Sequence, residues 1–441
     1  MNEDRGDLHV AIIGAGMGGL ACALALAKHG IERIDVYEAA SNLGFVGAGI
    51  QLAPNMGRIL ERLGCWESIA KEATEVKVAS IRQHSDNREL GRVDFSYVRN
   101  EYGTPHMVGH RSSLAGGMYN ACKEEKAITF HFNSFCDIKS WTPRPEFTVT
   151  PREGTPYDVF ADVVLAADGI KSSVRPQILK ELGTDAEVID SGQSAYRIML
   201  TREQMASDPE MLELLEADQV IRWIGERRHI IAYPISNKNI YNISSTQPDI
   251  HFASAPSATY TTRGSKTDML DNFNDFCPLV QRMLHLVPDQ DLCEWKLRVH
   301  SPLPTWVRGS VALVGDACHP TLPHLAQGAA QAIEDAGVLA VVLSMLPDRS
   351  SDSINEALRV YERVRKERAE TLIDLAAASC KALHLGEGAA KEERDKQFAA
   401  LKIKAGPSPD KYLDAEVQKM IMGIDIMEVA RNEFLKAFGI D

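Results

Sequence analysis

The chain of 441 residues lacks the features by which several large classes of protein are recognised. It has no run of lysine and arginine and a formal net charge of -13, which argues against a nucleic-acid binder with a basic face. No stretch reaches the roughly 18–20 consecutive apolar residues of a membrane span. The charged N-terminus, MNEDRGDLHV, has no apolar signal core. These absences predict a cytoplasmic protein with no nucleic-acid partner and no membrane span.

The eight cysteines form neither a metal-binding nor a disulfide pattern. None is part of a Cys-x-x-Cys pair, and their spacings match no zinc site. Most lie among apolar residues, where a reduced and buried thiol is expected. The sequence therefore predicts no metal and a reducing compartment. A content of 44% hydrophobic and 25% charged residues is typical of a globular protein, and the length predicts two or three domains.

The stretch 8–39 has the pattern of a dinucleotide-binding strand–helix–strand unit. After a β-branched strand, three glycines fit G-x-G-x-x-G, namely Gly14, Gly16 and Gly19. The first permits a tight turn, the second lets the backbone approach a pyrophosphate, and the third lets the helix pack on the strand. The helix N-terminus offers unpaired N–H groups to the phosphates, and Glu38 is placed to bind a ribose hydroxyl. Because an acid at this position repels a 2′-phosphate, the motif predicts NAD or FAD rather than NADP.

Two further stretches, far apart in the chain, end a buried strand on an acidic residue. One is DVVLAADGIKSSVR, whose strand ends at Asp168. The other is GSVALVGDACHPTLPHLAQGAAQAIEDA, whose strand ends at Asp316 before a proline-stiffened loop and a helix that restarts at Gly328. A carboxylate is an acceptor suited to hydroxyl groups, and a helix N-terminus stabilises negative charge by ~0.3–1 kcal/mol. The small residues Gly328 and Ala329 let the helix amides approach an electron-rich ring.

Together these three motifs resemble those of the flavoprotein aromatic hydroxylases, the single-component FAD monooxygenases with a p-hydroxybenzoate-hydroxylase-like fold, and most closely the fungal salicylate-hydroxylase branch. The resemblance implies that Asp316 holds the ribityl chain of FAD and that the helix at Gly328 and Ala329 points at the pyrimidine ring of the flavin. It also assigns Asp168 to the cofactor site. Since no second G-x-G-x-x-G follows a strand, NADH or NADPH is expected as a transient co-substrate without a domain of its own.

Two shorter stretches extend the resemblance. GFVGAGIQLAPN is similar to the family loop that lays Ala48 and Gly49 along the flavin. HRSSL is similar to a family element in which Arg111 reaches the phosphate or ribityl region from a helix start. The alternative for Arg111 is a solvated residue on the helix surface.

The predicted fold class is α/β, with a Rossmann-like FAD-binding domain, an inserted mixed-sheet substrate domain and C-terminal helices. The predicted segments are 1–73, 107–184 and 291–345 for the FAD-binding domain, 74–106 and 185–290 for the substrate domain, and 346–441 for the C-terminal helical region. Within the last region, an amphipathic helix is predicted over 352–384 and a polar, mobile stretch after it at GEGAAKEERDKQ.

Three polar residues of the middle segment are the candidate catalytic residues. AYRIM contains Arg197, and RRHIIAYPI contains His229 and Tyr233, which strand alternation places on one face. Similar stretches occur in salicylate-hydroxylase-like proteins, and the resemblance carries Arg197 and Tyr233 over as active-site residues and His229 as the base. An imidazole suits deprotonation of a phenol near neutral pH, and a guanidinium suits a carboxylate or phenolate. The alternatives are a satisfied core histidine, a tyrosine that packs in the sheet and an arginine paired with a nearby acid.

Two histidines in the proline-stiffened loop complete the set of candidates. The resemblance gives His319 a structural role in its Gly-Asp-Ala-x-His-Pro element, in which this chain has cysteine where the family usually has alanine. His324 falls near the front edge of the flavin ring, where it could touch the substrate.

The implied activity is hydroxylation of a phenolic aromatic substrate with dioxygen, through a flavin hydroperoxide, at the expense of NADH or NADPH. The specific hypothesis is salicylate, with loss of carbon dioxide to give a catechol. Alternatives are a fungal secondary-metabolite hydroxylase of the same fold, a flavin oxidase or dehydrogenase that inserts no oxygen, and a non-catalytic flavin-binding protein that uses helix 352–384 as a partner surface. The expected state is a monomer or a homodimer.

Overall fold

The computed structural model describes residues 8–44, 48–185, 188–250, 261–289 and 292–440. The strands are β1 (His9–Ile13), β2 (Arg33–Tyr37), β3 (Gly49–Leu52), β4 (Thr74–Glu75), β5 (Val78–Gln83), β6 (Glu89–Asp94), β7 (Met107–His110), β8 (Ile128–His131), β9 (Ser134–Ser140), β10 (Glu146–Pro151), β11 (Tyr157–Phe160), β12 (Val163–Ala166), β13 (Val188–Thr201), β14 (Gln219–Gly225), β15 (Arg228–Ile235), β16 (Ile240–Pro248), β17 (Thr261–Arg263), β18 (Cys293–His300), β19 (Val307–Arg308) and β20 (Val311–Leu313).

The helices are α1 (Met17–Lys28), α2 (Pro54–Arg62), α3 (Trp66–Ala70), α4 (Val98–Tyr102), α5 (Arg111–Glu124), α6 (Val174–Glu181), α7 (Arg202–Met205), α8 (Pro209–Glu216), α9 (Lys266–Asn272), α10 (Pro278–His285), α11 (Gly328–Ser344), α12 (Ser351–Leu383), α13 (Ala389–Leu401), α14 (Ala415–Met422) and α15 (Ile426–Phe438). Among the described residues, no helix is both long enough and apolar enough to cross a bilayer.

A six-stranded sheet carries the predicted dinucleotide-binding unit. Its order is β19-β20-β12-β1-β2-β8, and all neighbours are parallel except β19 and β20. Every residue of β1, β12 and β20 is buried, as expected for parallel strands covered on both faces. The helices α1 and α11 pack against each other beside this sheet. The carboxyl ends of β1, β12 and β20 therefore bring the three sequence motifs to one edge.

An eight-stranded sheet forms the second layer of the molecule. Its order is β17-β18-β13-β16-β15-β14-β5-β6, antiparallel except for the pair β14 and β5. The strands β5 and β6 come from the segment 74–106 and join strands from the segment 185–290 in one sheet. The division into domains stays a prediction. One further strand of this sheet, β18, comes from the segment 291–345. It pairs with β13, about a hundred residues earlier, and such long-range pairing leaves no local signal.

The C-terminal region is helical, including the stretch that the sequence predicted to be mobile. The predicted helix 352–384 is observed as α12. The prediction that GEGAAKEERDKQ is a mobile stretch is wrong, because most of this stretch belongs to α13. Alanine, glutamate, lysine, arginine and glutamine are all strong helix formers. The apolar residues that anchor this helix, Phe398 and Leu401, lie just beyond the polar stretch and are buried. A side chain at Gly91 of β6 would lie 2.8 Å from the Phe398 carbonyl oxygen, so the glycine permits this close packing.

Candidate active site

A cavity of about 360 Å³ lies between the carboxyl edge of the six-stranded sheet and one face of the eight-stranded sheet. Nine of the predicted site residues line it: Gly16, Ala48, Gly49, Arg111, Arg197, Tyr233, Asp316, Gly328 and Ala329. The other five, Gly14, Gly19, Glu38, Asp168 and His229, do not line it. Six separate stretches of the chain thus meet in one place.

The glycine turn before α1 has the geometry that a pyrophosphate requires. Gly14 has φ +99°, and a Cβ there would lie 2.5 Å from the carbonyl oxygen of Ala167. A Cβ on Gly19 would lie 1.9 Å from the carbonyl oxygen of Gly14, so only glycine allows this helix to approach the strand. A Cβ on Gly16 would meet no atom within 4 Å, and no side chain caps α1 at this residue. The turn therefore presents open space and unpaired N–H groups, which fit a phosphate.

Glu38 fixes this turn from the end of β2. Its Oε2 accepts a hydrogen bond from the N–H of Ala15 at 2.7 Å, and its Oε1 accepts one from the N–H of Ala40 at 2.8 Å. A carboxylate has about four acceptor positions, so two remain for the hydroxyls of a ribose. That contact with the cofactor stays a prediction.

Asp168 uses one carboxylate oxygen to cap a helix, and its other oxygen has no partner among the described residues. Its Oδ2 accepts from the N–H groups of Ser173 at 2.8 Å and Val174 at 3.3 Å at the start of α6. Its Oδ1 is buried and has no hydrogen-bond partner in the described part of the chain. A buried, unpaired acceptor is costly, and a cofactor hydroxyl would satisfy it. Asp168 itself does not line the cavity, although its neighbours Ala167 and Gly169 do.

The loop after β20 is anchored to the helix that follows it. Gly315 has φ +62°, and its N–H donates to Oδ2 of Asp335 in α11 at 2.9 Å. His319 Nε2 lies 2.6 Å from the same oxygen, in accord with its predicted structural role. Between these two anchors the side chain of Asp316 opens onto the cavity. Desolvation by the surrounding protein raises the pKa of Asp316, while His319 and Arg111 act to lower it.

A buried cluster of charges that the sequence analysis missed holds α11 in place. Arg365 of α12 is fully buried, and it donates to Oδ1 of Asp335 at 2.8 Å, to Glu334 and to Oε1 of Gln331 at 2.6 Å. Burial raises the pKa values of both acids, but Arg365 with Arg368 lowers that of Glu334 to about 2, and His319 with Arg365 lowers that of Asp335 to about 2. Two adjacent acids within the apolar run AAQAIEDAGVLAVV are the signal that could have revealed it.

The N-terminus of α11 points into the cavity. The helix has 17 residues, and Gln327 before it makes no side-chain cap, so the first N–H groups stay unpaired within the described chain. Gly328 and Ala329 line the cavity and are too small to shield these donors. The arrangement favours negative charge in front of the helix. A reduced flavin carries such a charge, so these residues fit the flavin ring.

A further wall of the cavity is formed by residue 48, β3 and the start of α5. The N–H of Arg111 donates to the carbonyl oxygen of Ala48 at 2.9 Å. The N–H of Gly49 donates to Oδ1 of Asn242 in the eight-stranded sheet at 2.7 Å. A Cβ on Gly49 would lie 2.4 Å from Asn242 Cγ, so the glycine lets the two layers touch. Residues 45–47 of the predicted flavin loop lie outside the described residues.

The face of the eight-stranded sheet that meets this wall presents a polar row. The strand register places Arg197, Ser244, Ile231 and Arg222 side by side on β13, β16, β15 and β14. Arg197 and Tyr233 both line the cavity, so the structure brings these two candidates together. Burial raises the pKa of Tyr233, which therefore stays protonated and can donate a hydrogen bond.

Arg197 is a cation without an acidic partner among the described residues. Its guanidinium lies 4.9 Å from the centroid of the Trp295 ring, and it forms no ion pair with a carboxylate in the described part of the chain. Burial and the neighbouring Arg111 both lower the pKa of Arg197, and Tyr233 opposes them. The alternative that Arg197 pairs with a nearby acid is therefore not met among the described residues. An anionic group in the cavity would relieve the two neighbouring positive charges.

His229 shares the strand face of Ile231 and Tyr233 but does not line the cavity. It is buried, and its Nδ1 lies 2.7 Å from Nε2 of His384, at the end of α12. Burial lowers the pKa of His229 well below its usual value, and His384 adds to the effect. The ring of His324 lies 5.4 Å away, centroid to centroid. Its role as the base stays a prediction.

A small pocket next to the cavity is closed by the C-terminal segment. Gln51 and Ile231 line both spaces, and Tyr412 forms the far wall. The Tyr412 hydroxyl lies 2.9 Å from Nδ1 of His106, whose Nε2 lies 3.2 Å from Oε1 of Gln51. Beside them Asp410 and Arg222 form a buried ion pair. Sequence analysis missed this wall because its parts come from distant regions of the chain.

His106 makes the protein acid-sensitive, because burial lowers its pKa to about 3 in the folded state. The unfolded chain takes up this proton near pH 6.5, so stability falls as the pH drops below that value. Between pH 7 and pH 5 the wild type should lose about 2 kcal/mol more than His106→Gln, which keeps a hydrogen-bonding side chain. Urea unfolding at both pH values measures this. Equal losses in the two proteins would show that His106 is not neutral and buried.

Comparison with known proteins agrees with this geometry. The profile of the FAD binding domain family matches residues 7–376. The chain belongs to this family of FAD-dependent monooxygenases. It is 31% identical over 388 residues to "FAD-dependent monooxygenase ntnJ" of Nectria sp, covering 88% of each chain. It is 32% identical over 360 residues to "3-hydroxybenzoate 6-hydroxylase 1" of Aquipseudomonas alcaligenes, covering 81% of this chain and 84% of that one.

Membership of the family confirms the predicted fold class and the predicted cofactor, FAD. A solved "salicylate hydroxylase substrate complex" superposes with a TM-score of 0.79 at 25% identity, covering 98% of each chain. The FAD monooxygenase fold thus accounts for the six-stranded sheet, the eight-stranded sheet and the C-terminal helices together. Within this family the open glycine turn, the Asp316 carboxylate and the unshielded end of α11 are the residues that would hold FAD.

Proposed function

We propose that the enzyme hydroxylates a phenolic aromatic compound that carries an acidic group, with NADH or NADPH as the transient reductant. Bound FAD supplies the chemistry of dioxygen reduction and oxygen transfer. The protein supplies a cavity between the FAD-binding edge and the polar face of the eight-stranded sheet. The observation that carries the proposal is Arg197, a cation that faces this cavity without an acidic partner among the described residues.

The residues around Arg197 have complementary roles in this proposal. Arg197 receives the carboxylate of the substrate, because a guanidinium binds a carboxylate through two parallel hydrogen bonds. Tyr233 donates a hydrogen bond from the same wall. His324 and His229, which are neutral because burial lowers their pKa values, take the phenol proton. Deprotonation makes the ring richer in electrons, which is what an electrophilic oxygen donor requires.

The relatives support an acidic aromatic substrate. Three similar proteins are named "3-hydroxybenzoate 6-hydroxylase", "6-hydroxynicotinate 3-monooxygenase" and "salicylate hydroxylase", and each name includes a hydroxylated aromatic acid. Salicylate, with release of carbon dioxide and formation of a catechol, is therefore the specific substrate proposed. The second candidate is a fungal secondary-metabolite hydroxylase of the same fold, since the relatives from Nectria sp and Beauveria bassiana are named as FAD-dependent monooxygenases without a substrate.

A substrate panel tests the proposed function. The FAD-loaded protein is mixed with NADH or NADPH and with salicylate, 3-hydroxybenzoate, 6-hydroxynicotinate or unsubstituted phenol. We expect the aromatic acids to stimulate consumption of the nicotinamide and to yield hydroxylated products. Hydrogen peroxide as the sole product with every compound would contradict the proposal and indicate an oxidase. A protein whose flavin neither nucleotide reduces would indicate a non-catalytic flavin binder.

Replacing Arg197 should discriminate between acidic and neutral substrates. A hydrogen bond to a charged group contributes about 1.5–3 kcal/mol, so Arg197→Ala should raise KM for the acids by about 10- to 100-fold. Unsubstituted phenol should change by no more than about threefold, since it offers no carboxylate. Arg263→Ala, on the exposed edge strand β17, is the matched control. Equal losses on acidic and neutral compounds would exclude the anion-binding role.

A further inference from the structure

Three imidazoles from three separate elements form a compact cluster beside the cavity. His229 lies on β15, His384 follows the last residue of α12, and His324 lies in the loop before α11. Their ring centroids are 5.0 Å apart for His229 and His384, 5.4 Å for His229 and His324, and 6.0 Å for His324 and His384. The Nδ1 of His229 and the Nε2 of His384 share a hydrogen bond of 2.7 Å.

The two ends of this cluster lie next to residues that line two different spaces. His324 is 1% exposed, neither of its ring nitrogens has a hydrogen-bond partner within the described chain, and both Pro323 and Ala326 beside it line the cavity. His384 is partly exposed. The next residues, Leu385 and Gly386, line a separate groove of about 550 Å³ on the outside of the molecule.

The outer end is held in place by the turn between β14 and β15. The N–H of Arg227 donates to the carbonyl oxygen of His384 at 3.0 Å. The carboxylate of Glu226, an exposed residue of the same turn, lies against Gly386, where a Cβ would be 2.7 Å from it. The cluster therefore has an imidazole with no partner among the described residues next to the cavity lining, and an acidic side chain in the outer groove.

We propose that His324, His229 and His384 form a path for proton transfer between the cavity and the outer groove, with His384 as the positioning residue that receives the proton from His229. This inference rests on the proposed hydroxylation of a phenol, which must lose a proton in the cavity. Nothing in the sequence motifs assigns a role to His384, which lies 155 residues from its partner.

The transfer balances without leaving a charge in the protein. The phenol gives its proton to one nitrogen of His324, and each imidazole then releases the proton from its other nitrogen to the next one. The gap between His324 and His229 is closed by one bridging water or a small rotation of either ring. His384 releases the last proton to water in the groove, so the phenolate remains and every ring ends in its other tautomer. The reverse transfer, when the product takes a proton back, restores the starting tautomers.

The charges around the cluster favour transfer over storage of the proton. Burial lowers the pKa of His324 to about 3, with help from His384 and Arg222, and it lowers that of His384 to about 4, with help from Arg222 and Arg394. An imidazole with such a pKa cannot keep a proton near neutral pH, so it needs an acceptor beyond it. Arg222, which acts on both histidines, is itself paired with the carboxylate of Asp410.

The remaining contacts of His384 also leave the path open. Its Nδ1 lies 3.5 Å from Sγ of Cys380, one turn earlier in α12. That sulfur accepts a hydrogen bond from Nε2 of Gln193 at 2.9 Å, and burial raises the pKa of the thiol. A neutral thiol is a weak partner, so it does not hold the His384 proton against water.

The test uses the FAD-loaded full-length enzyme and the aromatic acid that gives the highest rate in the panel. Rapid mixing follows the absorbance of the phenolate as the bound compound ionises. His384→Gln keeps a hydrogen-bonding group but cannot accept a proton on one atom and release it from another. We expect its ionisation rate at pH 7 to fall by about 10- to 100-fold, with an unchanged dissociation constant for the compound. In His384→Ala, external imidazole should restore part of the rate through the outer groove.

Control measurements separate this inference from the proposed function. His285→Gln, at an exposed histidine of α10, should ionise the compound at the wild-type rate. If the histidine variants do not fold, the ionisation rate of the wild type is measured in mixtures of light and heavy water. When several protons move in the same step, a plot of this rate against the fraction of heavy water is curved. A full rate in His384→Gln, or a linear dependence in the wild type, would overturn the path. A wild type that hydroxylates no member of the panel would instead overturn the proposed function.

Discussion

Replacing Arg365 with alanine should destabilise the protein by about 3–5 kcal/mol, because it leaves two buried carboxylates without their shared cation. Glu334 and Asp335 are 1% and 0% exposed, so water cannot take over the role of the guanidinium. A domain of ordinary stability has only about 5–15 kcal/mol in total, and the variant should therefore be partly unfolded at physiological temperature. Urea unfolding followed by circular dichroism measures the loss.

The matched control for this variant lies on the same helix. Arg363→Ala removes a half-exposed ion pair with Glu356, and such surface pairs contribute about 0–1 kcal/mol. A cost below about 1 kcal/mol for Arg365→Ala as well would show that the buried acids take up protons and dispense with their cation. Because Asp335 also holds Gly315 and His319, any folded fraction of Arg365→Ala should bind FAD more weakly than the control.

The second large effect is expected at Asp316. Asp316→Ala removes the carboxylate that opens onto the cavity between the anchors of the loop. A hydrogen bond to a charged acceptor contributes about 1.5–3 kcal/mol, so the dissociation constant of FAD should rise about 10- to 100-fold and the purified protein should lose its yellow colour. Flavin absorbance per mole of protein, before and after dialysis against FAD, measures the change.

Two further variants show whether this loss is specific to the carboxylate. Asp316→Asn keeps the size of the side chain and an acceptor oxygen but not the charge, and it should retain an intermediate amount of FAD. Asp352→Ala, at an exposed acid in the first turn of α12, should bind FAD as the wild type does. A full complement of flavin in Asp316→Ala would refute the assignment of this residue to the cofactor site.

The parts of the site that could be predicted from the sequence depend on local geometry. Gly19 is required by a contact with Gly14 in the same turn, Gly14 by its own φ of +99°, and Asp316 follows shortly after a buried strand. Such constraints act over a few residues and leave a readable pattern. Strand alternation places His229 and Tyr233 on one face but leaves open which of the three candidates converge, whereas the structure brings Arg197 and Tyr233 to one cavity.

The parts that could not be predicted depend on contacts between distant residues. His384 meets His229 across 155 positions, and Asp410 meets Arg222 across 188. No periodicity or spacing links either pair. Strand alternation puts His229 on the same face as Tyr233, and the structure shows its imidazole hydrogen-bonded to a second histidine that no motif includes. The pairing of β18 escaped prediction for the same reason.

The wall formed by Asp410 and Tyr412 has a consequence for the order in which the enzyme becomes competent during synthesis. The loop at Asp316 is synthesised some three hundred residues after the turn at Gly14. The small pocket beside the cavity still lacks one side at that point, because Asp410 and Tyr412 follow only about a hundred residues later. During synthesis the residues of the predicted FAD site are therefore complete before the small pocket beside the cavity can close.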